Sequence, residues 1–284
     1  MRVGIMSFES YHGKKDIGSS RIRGEWLVNH WPEAELFTYG QKYDVIIFQK
    51  VYFVELARSF PGIKILDLCD PDWLAQQPVV EMAQECDAVT TSTQALADYI
   101  GKYTDKPCLH IKDRIDFNEN SQKKTEHAEK IKSAVWYGYS HNAKALQSVL
   151  GSCRKRGIEL TAISDRTVRD ADTWVKYDRD TINDEIIKHD VVILPPPGGN
   201  VGKFKSENKT VNAWSLGMPV VCFGSYHEDF EKAYGELANL TFDNLETKEA
   251  REQEAQTRLA LVKAEYDVKK SVAEYQQLIS ELKN

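Results

Sequence analysis

The segment Asp190–Val221, DVVILPPPGGNVGKFKSENKTVNAWSLGMPVV, constrains the fold of this chain more than any other. It reads as an apolar strand at Val191–Leu194, a Pro/Gly loop, a helix opening at Ser206 and a second apolar strand at Pro219–Phe223. Continuous β-branched runs on either side of a helix need cover on both faces, which is the signature of a buried parallel sheet. A helix N-terminus presents unsatisfied N–H groups and a partial positive charge, so it favours anions. Lys205 and Lys209 add full charges there. The run GGNVGKF is not a P-loop, because three residues separate Gly198 from Gly202 and Phe204 stands where Ser or Thr would hold a metal. The pattern predicts phosphate binding without a simple ATPase motif, or else a solvated helix start capped by Ser206.

The rest of the chain repeats the alternation. Strands at Val3–Met6, Glu35–Thr38, Val45–Phe48, Lys64–Leu68, Ala88–Thr91 and Cys108–Ile111 alternate with helical segments, the first after a polar loop at about Ser19–His30. Asn118–Lys132 carries no apolar period until its end and reads as a linker. The pattern then restarts at Val135. We therefore expect two doubly wound α/β domains at 1–117 and 133–245, a linker at 118–132, and C-terminal helices at 246–284. In the last part Leu259, Val262, Tyr266, Val272, Tyr275, Leu278, Ile279 and Leu282 recur at helical spacing and require a surface to pack on.

Composition narrows the function. Of 284 residues 42% are apolar and 28% charged, and the formal net charge of −6 offers no global field for nucleic acid or anionic lipid. No run approaches the roughly 20 apolar residues of a membrane span, and MRVGIMSFES reads as a strand and not a signal peptide. The expectation is a cytoplasmic protein with no transmembrane segment. Five scattered cysteines (69, 86, 108, 153, 222) form no CxxC pair and read as reduced thiols.

Several positions carry candidate chemistry. Gly18-Ser-Ser-Arg21-Ile-Arg23-Gly24 opens the first helix, where backbone amides with Arg21 or Arg23 can meet an acidic group, or form only a capped, solvated start. His12 lies in the preceding loop. Asp67-Leu-Cys-Asp70-Pro-Asp72 is the densest acidic cluster beside a strand end. Asp70 there can orient or deprotonate a hydroxyl, or cap the next turn, while Asp67 reads as structural. The cluster's spacing matches no metal-ligand set. Asn142 caps the helix that carries Lys144, and His141 precedes it.

The chain resembles a small GT-B glycosyltransferase, nearest the retaining GT4-type (group 1) family. The residues that carry this are Asn212-Ala-Trp-Ser-Leu-Gly-Met-Pro-Val220, matching that family's Glu-Ala-x-Ala-x-Gly-x-Pro-Val, together with Asp190-Val-Val-Ile-Leu-Pro195. Gly138 followed six residues later by Lys144, and Asp87-Ala-Val-Thr-Thr-Ser92 before an Ala/Leu-rich helix, add to it. The paired-glutamate motif is not kept: its acids would fall at Phe204 and Asn212, and Ser140 replaces the usual arginine. The resemblance implies two Rossmann-like domains facing a cleft, with a C-terminal helix packing back on the N-terminal domain. It implies metal-independent, retaining transfer of a sugar from a UDP- or GDP-sugar, used as substrate with no cofactor, to a hydroxyl of a glycan, lipid, protein or modified DNA base. Donor-binding candidates are Gly18, Arg21, Asn142, Lys144, Lys205, Ser206, Glu207, Asn208, Lys209 and Asn212; Asp70 and His12 are the catalytic candidates. Tyr177-Asp178 would lie near the nucleobase and Glu228 near the donor. The alternatives are a catalytically silent nucleotide-binding module and a nucleotide-sugar epimerase on the same fold.

Overall fold

The computed structural model describes residues 1–119, 122–195, 201–221 and 240–283. The 196–200 part of the Pro/Gly loop, the strand end expected at 222–223, Cys222 and Glu228 lie outside the described residues. The chain divides into two compact units: Met1–Asp116 with Phe204–Ser206 and Tyr266–Asn284, and Phe117–Lys203 with Glu207–Glu265.

The first unit is built on a six-stranded sheet, order β2-β1-β3-β4-β5-β6, with every pairing parallel. Its strands are β1 (Val3–Ser7), β2 (Ala34–Leu36), β3 (Val45–Gln49), β4 (Ile63–Leu68), β5 (Ala88–Thr91) and β6 (Cys108–His110). Every residue of β1, β3 and β5 is buried, which is why these strands open on apolar runs and carry only uncharged polar residues at their carboxyl ends. Burying each such Val, Ile or Leu contributes about 1.5–3 kcal/mol. From β1 the chain passes to β2 on one side and then to β3 on the other. The carboxyl ends of β1 and β3 therefore flank a switch point, where open α/β sheets receive ligands.

The polar loop expected after β1 contains a short helix, Phe8–His12, capped by Ser7 Oγ accepting from Ser10 N and ended by Gly13 at φ 61°. The first long helix begins at Gly18 and runs to His30 through a π turn at Arg21–Glu25. Such a turn adds a residue to the ladder and re-aims the side chains it carries; here Arg23 is buried.

The C-terminal apolar repeat resolves into two helices, Lys248–Glu265 and Val268–Leu282. The break falls where Asp267 caps the second helix through Lys269 N. The second helix packs back on the N-terminal unit, burying Val268, Val272, Tyr275, Leu278 and Ile279, with Tyr275 stacked 6.2 Å from Trp31. Ile115 fixes its start by backbone bonds with Tyr266 and Val268.

The second unit carries a five-stranded parallel sheet, order β11-β10-β7-β8-β9. The strands are β7 (Ser133–Tyr137), β8 (Glu159–Ser164), β9 (Thr173–Lys176), β10 (Val191–Ile193) and β11 (Val220–Val221). Here the switch point lies between β7 and β10. The segment expected to be a linker is laid along this unit: Lys123 Nζ donates to Ser215 O (2.8 Å) and Lys124 Nζ to Ile187 O (3.1 Å). No helix among the described residues is long and apolar enough to cross a membrane.

Candidate functional site

In the second unit the site is built around the end of β7. The helix expected to open at Ser206 runs from Asn208 to Ser215, with buried Glu207 at the position before it. Lys209 lies in its first turn, where its ammonium sits 5.6 Å from the Trp136 ring centroid. Gly138, the residue after β7, makes this approach possible. A Cβ there would come within 2.5 Å of Lys209 Nζ and 3.1 Å of the Trp136 ring. Tyr137 fixes the backbone from below, its hydroxyl donating to Lys209 O at 2.5 Å. The fold thus lays a cation and a helix N-terminus against the carboxyl edge of β7, at the switch point.

The other candidates of this unit lie around that edge. Lys144 is exposed on a 3-10 turn, Ser140–Leu146, that precedes the helix Gln147–Arg156. Asn142 does not cap a helix, because the turn begins at Ser140, whose N–H is taken by Asp165 Oδ1 at 2.7 Å. That bond holds the Asp165 carboxyl below its ordinary value. His141 is exposed and stacked on Tyr139, 5.7 Å between centroids. Asn212 turns its amide to Asn183 (3.4 Å). Asp178 accepts from the backbone of Asp180 and Thr181, an Asx turn that starts the helix Ile182–Ile187.

In the first unit the acidic cluster is engaged with the chain's own cations. Asp67 is fully buried and receives Arg23 through two nitrogens, at 2.8 and 2.6 Å, as well as the hydroxyls of Thr90 (2.7 Å) and Tyr275 (2.8 Å). Arg23 also reaches Asp113 (2.8 Å) and Ile111 O (2.8 Å). Burial works against the charge of Arg23, yet Asp67 and Asp113 outweigh it and hold its pKa well above the usual value. One guanidinium therefore ties the first helix to the ends of β4 and β6.

Asp70 receives Lys50 Nζ at 2.5 Å and is also bonded by Lys205. Burial alone would raise its pKa, but the two ammonium groups hold it below the ordinary carboxylate value. Asp70 is thus arranged as the centre of an ion-pair chain, and both its oxygens are occupied. Lys50, just past β3, adopts the left-handed backbone region (φ 53°), a conformation that costs about 1 kcal/mol or more outside glycine. Asp72 accepts from the Tyr52 hydroxyl at 2.6 Å, and burial pushes its carboxyl up.

Ser206 does not cap the helix. The position before the helix is Glu207, and the Ser206 hydroxyl donates instead to Asp113 Oδ2 at 2.6 Å, the carboxylate whose other oxygen holds Arg23. Phe204, where the resemblance places an acid, is buried edge-on against Trp73 (5.1 Å) and Tyr99 (5.9 Å). It serves as an apolar anchor. Gly18 begins its helix half-buried, and the N–H of the preceding Ile17 is taken by Glu9 Oε2 (3.0 Å). Arg21 lies over the Trp26 ring at 5.3 Å, so Arg23 and not Arg21 meets the acids. His12 is exposed and packs on Phe8, 4.4 Å between centroids; partial burial, then Lys14, lowers its pKa.

Sequence reading missed Lys50, Asp113 and the seat of Lys209 beside Gly138. Lys50 had one available signal, its place directly after the strand VIIFQ.

No protein-family model matches the chain. No curated protein matches it either. Solved structures do. An alpha-glucosyltransferase in complex with UDP and a 13-mer DNA containing a HMU base superposes with a TM-score of 0.68 at 10% identity, covering 99% of both chains. The DNA modifying enzyme beta-glucosyltransferase, solved with and without uridine diphosphoglucose, gives 0.63 at 8% identity over 99% of both. AviGT4, a glycosyltransferase involved in avilamycin A biosynthesis, gives 0.59 at 11% identity, covering 99% of this chain and 98% of that one. These neighbours are GT-B glycosyltransferases, and the fold of this chain is GT-B.

Proposed function

We propose that the protein is a glycosyltransferase that moves a sugar from a nucleotide-diphosphate sugar to a hydroxyl acceptor. The observation that carries this is Lys209, held at the switch point of the second unit beside Gly138 and in the first turn of the helix Asn208–Ser215. As the bond between the anomeric carbon and the diphosphate breaks, negative charge grows on the departing phosphate oxygens. A fixed ammonium and helix N–H groups stabilise that charge more than they stabilise the bound donor. The acceptor oxygen bonds the same carbon, and its proton leaves to the diphosphate or to water.

In this reading residues 133–245 hold the donor, with Lys144, Asn142, Glu207, Asn208 and Asn212 around Lys209, and residues 1–117 hold the acceptor. Asp70 acts through Lys50 and Lys205 and not as a free base. Retention of configuration, independence from metal and a UDP or GDP leaving group belong to the same proposal, as does a modified DNA base among the acceptor classes. A binding module without turnover is the reading that Phe204, an apolar anchor in place of an acid, favours. A panel of nucleotide sugars read by thermal shift, followed by product analysis, separates the two. Stabilisation by one donor with transfer or slow donor hydrolysis supports the transferase. Stabilisation without any product over hours refutes it.

A further inference from the structure

The first unit has its own switch point, and the chain there is unlike the surface around it. Residues 10–16 (SYHGKKD) are all exposed, projecting beyond the end of β1. Tyr11 is 39% exposed and lies edge-on to His12 at 4.9 Å, with Phe53, from the segment after β3, at 6.0 Å. Beneath them Phe8 carries the ammonium of Lys14 over its ring at 4.9 Å and that of Lys50 at 5.4 Å. The two exposed lysines, Lys14 and Lys15, face a single exposed acid in the stretch, Asp16. Glu9 is turned inward onto the Ile17 backbone. The left-handed turn at Gly13 brings the lysines back toward the rings that precede them.

Aromatic faces interleaved with ammonium groups match one chemistry best, a base with its flanking phosphates. Rings stack any base by its π face, and lysines neutralise the backbone. A neutral glycan can use the rings but gives the lysines nothing to bind. A lipid surface calls for an apolar face larger than one exposed tyrosine.

We propose that this rim, Tyr11, His12, Phe53, Lys14 and Lys15, binds nucleic acid and makes an unstacked base of a single strand the acceptor. The rim's affinity for nucleic acid stands on its own residues; only the identity of the base as acceptor rests on the glycosyltransferase reading. Partial burial, then Lys14, lowers the pKa of His12 and favours its neutral ring, which adds a stacking face to the pair of charges.

The test uses the full chain and a fluorescently labelled single-stranded oligonucleotide carrying one 5-hydroxymethylpyrimidine, followed by anisotropy over a salt series. The unmodified strand, the duplex and a neutral oligosaccharide serve as comparisons. The wild-type protein should bind the single strand, with affinity falling as salt rises. Tyr11→Ala should weaken binding about tenfold, the effect of losing one base–aromatic stack. The double variant Lys14→Ala/Lys15→Ala should reduce the slope of log K against log salt by about 1.4, two phosphate contacts on a single strand. All three side chains are exposed, so the variants should fold, and an unchanged melting temperature and circular-dichroism spectrum provide the check. Oligonucleotide affinity that is absent, or is unchanged in both variants, overturns the proposal. UDP binding that persists in that case leaves the glycosyltransferase reading standing. Oligonucleotide binding without any nucleotide-sugar binding sinks that reading, and the base as acceptor with it, and keeps the rim as a nucleic-acid site.

Discussion

The two sheets carry different groups at their switch points. In the first unit the strand ends carry acids and cations that are already matched: Arg23 with Asp67 and Asp113, and Lys50 and Lys205 with Asp70. In the second unit the strand end carries a glycine, and the cation beside it lies on an aromatic face. A matched cluster holds a fold in register but has little differential affinity left for an anion. A lysine laid over a ring and a helix N-terminus gains when an anion arrives. In the proposed reading the first cluster holds the fold and the second takes the donor phosphates.

The largest effect that can break this contrast is on Arg23. Arg23→Met leaves two buried carboxylates without their guanidinium, and should destabilise the protein by about 3–5 kcal/mol in urea unfolding. Arg23→Lys should recover only part of this, because an ammonium cannot bridge Asp67 through two nitrogens and still reach Asp113. A loss below about 1 kcal/mol would show that the cluster is not architectural.

Next in size is Gly138→Ala. The added methyl meets the end of a flexible lysine and, 3.1 Å away, the Trp136 ring, and φ 157° strains any side chain, so UDP affinity should fall several-fold, read by calorimetry, with a modest drop in melting temperature. Unchanged affinity would remove the argument for a close approach.

The smallest effect concerns pH. Asp70 has a lowered pKa in the folded state, so its ion pairs contribute stability above about pH 4 that is lost as pH falls through the lowered value. Asp72, raised by burial, contributes with the opposite sign. Asp70→Asn should therefore cost about 1 kcal/mol at pH 7 and make the stability curve flatter below pH 4. A variant that loses stability in acid as steeply as the wild type would remove Asp70 from the account.

The parallel sheets were legible because burial on both faces leaves unbroken runs such as Val45–Phe48 and Val191–Ile193 in the sequence. The C-terminal helix was legible from its 3.6-residue period, and its break needed only a polar cap at Asp267. The site was legible in part. Lys209 could be suspected from its place near a helix start, whereas its seat against Gly138 joins residues 71 positions apart. The spacing from Gly138 drew attention to Lys144, yet the lysine that a Cβ at Gly138 would meet is Lys209. Ser206 misled because a serine before a helix usually caps it, and here the cap position falls on Glu207 while the Ser206 hydroxyl donates to a carboxylate distant in sequence. The π turn that buries Arg23 has no sequence signal comparable to a proline or glycine.

Calorimetric titration of UDP into three proteins, the wild type, Lys209→Ala and Lys205→Ala, separates the two lysines by their hold on the diphosphate. Loss of charged hydrogen bonds to phosphate should weaken Lys209→Ala by tenfold or more, while Lys205→Ala, whose ammonium is already held by Asp70, should change affinity by a few-fold at most. Lys209→Ala binding UDP as the wild type does, or the larger loss falling on Lys205→Ala, would contradict the donor-phosphate role of Lys209.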